Sequence, residues 1–127
     1  MLEKYAGSIY QLLAPMLPPA WDKIALLGKV TDTSYEFVYY VHSKGSNGYQ
    51  QCYAMAHEGR ISGKQLSAAF DRLFEICLKA RAEIEPGQRI WTNFTFLLNN
   101  VGDFSIDFGY GDYTAGVSDE WKAKYLV

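Results

Sequence analysis

The apolar residues of this chain change period several times, and each change marks an element. Leu2, Tyr5, Ile9, Leu12, Leu13 and Met16 recur at spacings of three and four, one apolar face of a helix. Pro15 kinks or ends that helix, and Pro18-Pro19 bars its continuation. From Trp21 to Thr31 the period shortens to two, with Ile24, Leu26 and Val30 on one side of a first strand that Gly28 weakens. Tyr35 to Ser43, rich in Tyr, Phe and Val, predicts a second strand. Lys44 to Gly48 supplies turn residues, and the expectation is a hairpin onto a third strand over Tyr49 to Ala56.

Helical spacing returns at Ser62. Ser62 and Gln65 form a capping-box pattern, flanked by Ile61 and Leu66 as a hydrophobic staple. Leu66, Phe70, Leu73, Phe74, Cys77, Ala80 and Ile84 make the buried stripe, and Pro86-Gly87 ends the helix. Ile90 to Asn99 and Asp103 to Tyr110 then alternate as a second hairpin around Asn100 and Gly102. Phe94, Phe96 and Leu98 share one face with Phe104, Ile106, Phe108 and Tyr110. Asn93, Thr95, Asp103, Ser105 and Asp107 share the other. Ser118 caps a short last helix, with Asp119 and Glu120 in its first turn.

The order α-β-β-β-α-β-β-α contains no repeat and no dividing linker, so residues 1–127 read as one α+β domain. The expected architecture is an antiparallel sheet of about five strands with helices packed on one face, the other face open to solvent.

Charge narrows the function. A net charge of −2 without any Lys/Arg cluster excludes a field that would draw nucleic acid directly. Cys52 and Cys77 lack CxxC spacing and read as buried thiols of a reducing cytosol. No apolar run reaches the roughly 20 residues of a membrane span, and no signal pattern opens the chain, so the expected location is cytoplasmic. The ten tyrosines suit half-wet surfaces such as interfaces, although sheets favour them too.

The densest candidate chemistry is DFSIDFGYGDY, residues 103–113, with three carboxylates among aromatics and glycines. The carboxylates miss the alternation of a calcium loop. Asp103 and Asp107 point to the same side of a strand, but four residues at ~3.3 Å each separate them by roughly 13 Å. That is too far to share one metal and too far for a glycosidase pair. Cys52 and His42 could meet on one sheet face as nucleophile and base, yet no third group stands ready to orient them. Zinc-ligand spacing, phosphate-binding loops and nucleophile elbows are all missing, so neither cofactor nor metal is expected and the chain does not read as an enzyme.

Three stretches, in register, resemble the YezG-like immunity (antitoxin) proteins. WTNFTFLLNNVGDFSIDFGYGDY carries the matching Trp91, Thr92, Thr95, Phe96, Phe104, Ile106, Asp107, Phe108, Tyr110 and Asp112. MLPPAWDKIALLGKVTDTSYEFVYYV, residues 16–41, resembles the family's entry into its first strands, and WKAKYLV, residues 121–127, its ending. Residues 48–60 have no counterpart in the resemblance. It implies a non-enzymatic protein of a polymorphic or contact-dependent toxin system, one that neutralises a cognate toxin domain, commonly a basic nuclease, inside the producing cell. Asp103, Asp107, Tyr110, Asp112 and Tyr113 would be its partner-binding residues, supplying carboxylates for on-rate and aromatics for affinity. The chain would act as a monomer or weak homo-oligomer. The competing readings are a small ligand-binding or enzymatic domain with a pocket between sheet and helix, and an oligomeric structural subunit.

Overall fold

A computed structural model describes residues 2–127. A 3-10 turn, Leu2–Tyr5, leads into α1 (Ala6–Leu13), and Pro15 sits in a second 3-10 turn, Ala14–Met16. Then come β1 (Trp21–Val30), β2 (Tyr35–Ser43), β3 (Tyr49–Gln51), α2 (Cys52–His57), α3 (Gly63–Ala82), β4 (Asn93–Asn99), β5 (Phe104–Gly109) and α4 (Asp119–Tyr125). The five strands form one antiparallel sheet in the order β3-β2-β1-β4-β5. The expected α+β domain with a five-stranded antiparallel sheet is what the chain forms.

Register shows how the core assembles. Leu26 pairs with Tyr39 on one side and Phe96 on the other, and Gly28 lies between Phe37 and Phe94. All five side chains in these two rows are buried. Onto this face α3 lays Leu66, Phe70, Leu73 and Cys77, with the Phe70 ring 5.6 Å from Phe37. Ser62 Oγ accepts the Gln65 N–H at 3.1 Å and fixes where that helix begins. The α1 segment closes the same face, and the Tyr39 hydroxyl reaches the Met16 carbonyl at 3.3 Å.

Gly28 is required rather than merely tolerated. A Cβ there would stand 2.3 Å from Phe94 Cε1 and 2.9 Å from Phe37 Cε1, so the two rings close over the bare backbone of β1.

Two expectations are corrected. The third strand is only Tyr49–Gln51, and Cys52 to His57 is helix, which also puts His57 at a helix end. CYAMAH offers Ala and Met, good helix formers, and buries Cys52 and Met55 on one side at a spacing of three. Gly59, at φ +78°, ends α2 in a Schellman motif: its N–H bonds the Ala56 carbonyl and the Arg60 N–H bonds the Met55 carbonyl. The helix also serves the edge that β3 leaves uncovered. Cys52 Sγ accepts the Tyr39 N–H at 3.5 Å, and the Tyr53 hydroxyl donates to the Phe37 carbonyl at 2.5 Å.

The second correction concerns the other face of the sheet, which is not open. Ala25, Leu27, Val38, Tyr40 and Thr95 point to it and are buried, because α4 and the segment before it fold across. Trp121 Nε1 donates to Thr95 Oγ1 at 2.8 Å, and its ring lies 5.7 Å from Tyr40. Helices therefore pack on both faces, α1 and α3 on one and the short α4 on the other.

Candidate functional site

The residues singled out in 103–113 run along one edge of the sheet, on β5 and the strap that follows it. Asn99 shapes the turn: its Oδ1 accepts the N–H groups of Val101 and Asp103, and Gly102 takes φ +93°. This turn leaves the Asp103 carboxylate exposed, its one contact a long bond from Asn99 Nδ2.

Beyond β5 the chain is strapped back onto the sheet. Thr92 Oγ1 donates to the Gly111 carbonyl at 2.7 Å. Glu36 takes the Tyr113 hydroxyl and the Gly116 N–H, both at 2.8 Å, one on each carboxylate oxygen. Lys29 Nζ donates to the carbonyls of Thr114 and Gly116. Lys29 and Glu36 face each other across β1 and β2, so one cross-strand pair holds the strap at Tyr113, Thr114 and Gly116.

The five candidate residues divide accordingly. Asp103, Tyr110 and Asp112 present their side chains to solvent. The Arg89 guanidinium stacks 4.9 Å from the Tyr110 ring centre and bonds the Tyr110 carbonyl at 3.2 Å. Asp107 and Tyr113 are exposed but already engaged. The Tyr125 hydroxyl donates to Asp107 Oδ2 at 2.8 Å, and burial, then this bond, raise the Tyr125 pKa. The bond to Glu36 raises that of Tyr113. Periodicity reveals which way Asp107 points, but not that α4 will return to meet it. Lys29 and Glu36, which position the tract, escaped the sequence reading because their partners lie 77 to 87 residues away.

The proposed nucleophile pair is not assembled. Cys52 is fully buried against β2, and burial pushes its thiol up to about 11, away from the reactive thiolate. His42 instead bonds Asp22 Oδ1 through Nδ1 at 2.6 Å and the Ser46 carbonyl through Nε2 at 2.9 Å. Cys77 is likewise buried and pushed up to about 12. Among the described residues no three His, Cys, Asp or Glu side chains gather as a metal site.

One open groove of about 520 Å³ runs between α1 and the β4–β5 turn, past Tyr10, Trp21, Phe96, Leu98, Val101 and Phe104. Phe104, 46 % exposed, and Val101 present apolar surface there. No charged side chain lines it. No helix among the described residues is long and apolar enough to cross a membrane.

The α+β fold buries both thiols and displays Asp103, Tyr110 and Asp112 along β5 and the strap that follows it. The chain belongs to the YezG-like immunity protein family, whose description, Immunity protein YezG-like, matches residues 2–126. It is 29 % identical over 114 residues to Immunity protein YezG of Bacillus spizizenii, covering 86 % of this chain and 71 % of that protein. To Immunity protein YezG of Bacillus subtilis strain 168 it is 25 % identical over 119 residues, 90 % of this chain and 79 % of the relative.

Proposed function

We propose that this immunity protein acts in the cytosol of its producing cell, where it binds and neutralises a cognate toxin domain of a polymorphic or contact-dependent system. The toxin is a basic nuclease, and the protein inhibits it by contact, without catalysis and without a cofactor. The observation that carries this reading is the exposed row along β5 and the strap after it: Asp103 in the β4–β5 turn, and Tyr110 and Asp112 just before the segment that the Lys29–Glu36 clasp holds. A nuclease keeps a positive surface to hold phosphates. Carboxylates on a rigid tract steer such a surface into contact, and a half-exposed tyrosine then adds apolar area at low entropic cost. Asp107 and Tyr113 contribute at the margin, because each must share or exchange its present partner.

The test uses the toxin domain encoded beside this gene. Asp112→Lys and Asp103→Lys slow association about tenfold at low salt and flatten its salt dependence, while Tyr110→Ala mainly quickens dissociation. Unchanged rates and unchanged protection of cells would move the interface elsewhere. The apolar groove beside α1 favours a second reading, a pocket for an uncharged ligand. Retained toxin binding by a Phe104→Lys variant separates the two.

A further inference from the structure

The outer edge of β5 is bare. It is last in the sheet order, and among the described residues no strand, helix or loop hydrogen-bonds to its far side. Alternation decides which groups are exposed there. The carbonyls of Asp103 and Gly109 accept from Asn99 and Thr92, so odd-numbered residues turn their backbone toward β4. The β4–β5 register runs without a bulge, so Phe104, Ile106 and Phe108 turn their N–H and C=O groups outward. Such an edge normally carries a protection: a proline, a bulge, or a charge on its apolar side. FSIDFG has no proline and no bulge, and its one charge, Asp107, lies on the opposite face, where the Tyr125 hydroxyl engages it.

We infer that β5 pairs antiparallel with β5 of a second copy about a two-fold axis through Ile106, joining two five-stranded sheets into one. Hydrogen-bonded antiparallel pairs form only between residues whose backbones both point outward. Of the registers this allows, the one centred on Ile106 keeps the most pairs: Ile106 with Ile106 of the second copy, and Phe104 with Phe108 of the second copy at either end. On one face the apolar row Phe104, Ile106, Phe108 continues across the seam. On the other, Asp107 falls opposite Ser105 and Asp103 opposite Gly109, so no carboxylate directly faces another.

The ends of the strand supply the complementary charge. Asp103 stands at its start and Arg89 at its finish, held there by the Tyr110 carbonyl and ring. Neither makes an ion pair within the described residues of its own chain. Antiparallel pairing brings each to the other, twice by symmetry. Over Gly109 the incoming Asp103 meets the side-chain amide of Asn93, which occupies the place where a Cβ would stand. This pairing needs only the chain itself and holds whether or not the toxin reading does.

Two six-residue edges bury less than the roughly 1,200 Å² of a standard stable interface, so the association is weak, with Kd on the order of 100 µM. Sedimentation velocity from about 10 µM to about 1 mM protein should show the mass rising from one chain toward two across that Kd. Ile106→Pro, which removes an outward N–H together with some packing of the half-buried Ile106 side chain, should weaken pairing at least ~10-fold. Asp103→Arg and Arg89→Asp leave the core untouched. Each should weaken pairing roughly 10-fold, and the double exchange should return it to within about threefold of wild type. A single-chain mass throughout the range overturns the inference. So does a dimer indifferent to both the proline and the charge exchange. Amide exchange that slows at Phe104, Ile106 and Phe108 only on adding the toxin domain would assign the edge to the toxin instead.

Discussion

Substituting alanine for Gly28 adds one methyl group at the centre of the sheet, and its effect follows from three distances. The new Cβ would lie 2.3 Å from Phe94 Cε1, 2.5 Å from Phe94 Cζ and 2.9 Å from Phe37 Cε1, where carbon atoms normally rest at ~3.5–4.0 Å. Each ring must retreat by about 1 Å, and neither has space to do so. Both are fully buried, with Phe94 edge-on to Trp91 at 5.6 Å and Phe37 stacked on Tyr35 at 4.9 Å. Overpacking of this kind costs ~1–3 kcal/mol. Alanine recovers ~0.5–1 kcal/mol by restricting the unfolded chain. The net expectation is a loss of about 1–2 kcal/mol and a fall in Tm on the order of 5 °C. Urea denaturation should show a lower midpoint at unchanged slope. Gly7→Ala is the control, since nothing lies within 4 Å of its Cβ in α1, and it should stabilise by ~0.5–1 kcal/mol. Adding Phe94→Leu to Gly28→Ala should cost less than Phe94→Leu alone. A Gly28→Ala protein as stable as wild type would refute the claim that ring contact demands this glycine.

Core truncations should grade with burial: Phe70→Ala, Phe94→Ala and Phe96→Ala each cost ~3–5 kcal/mol, while the half-buried Phe74 and Phe108 cost less. Equal losses across all five, read from denaturation midpoints, would contradict the layering described above. In alkali the protein should lose stability between pH 10 and 12. Burial holds the Tyr35 and Tyr53 hydroxyls up to about 12, against an ordinary value of 10.0, so only the unfolded chain ionises them in that window. Their stabilisation is complete below pH 10, and Tyr35→Phe with Tyr53→Phe should flatten the alkaline limb of midpoint against pH. Glu36→Ala should free residues 110–117 without unfolding the sheet, speeding limited proteolysis there while the Tm changes by only a few degrees.

The local elements and one sheet face were determined by residues near each other in sequence. Period-3.6 spacing from Leu66 to Ala80 and the Ser62 cap specify α3, because a helix closes its hydrogen bonds within four residues. Strict alternation from Phe104 to Phe108 and the Asn99–Gly102 turn specify the second hairpin in the same way. The candidate tract was legible to that extent: Asp103 and Asp107 point away from the core as the alternation requires. A further signal lay in the continuous apolar runs Ile24–Leu27 and Phe37–Val41, which mark strands buried on both faces rather than one. Which element would cover the second face was decided only by tertiary structure. The bond from Trp121 to Thr95 spans 26 residues, and the clasp from Glu36 to Gly116 spans 80. Pairings at such separation leave no periodic trace, because any exposed polar or aromatic residue along the chain is an equal candidate until the fold brings one of them within 3 Å. The same holds for α2. Cys52 to His57 is too short and too uniformly apolar to show a period, and it becomes a helix because buried Cys52 and Met55 share one side while the open edge of β2 takes its hydrogen bonds from Cys52 and Tyr53.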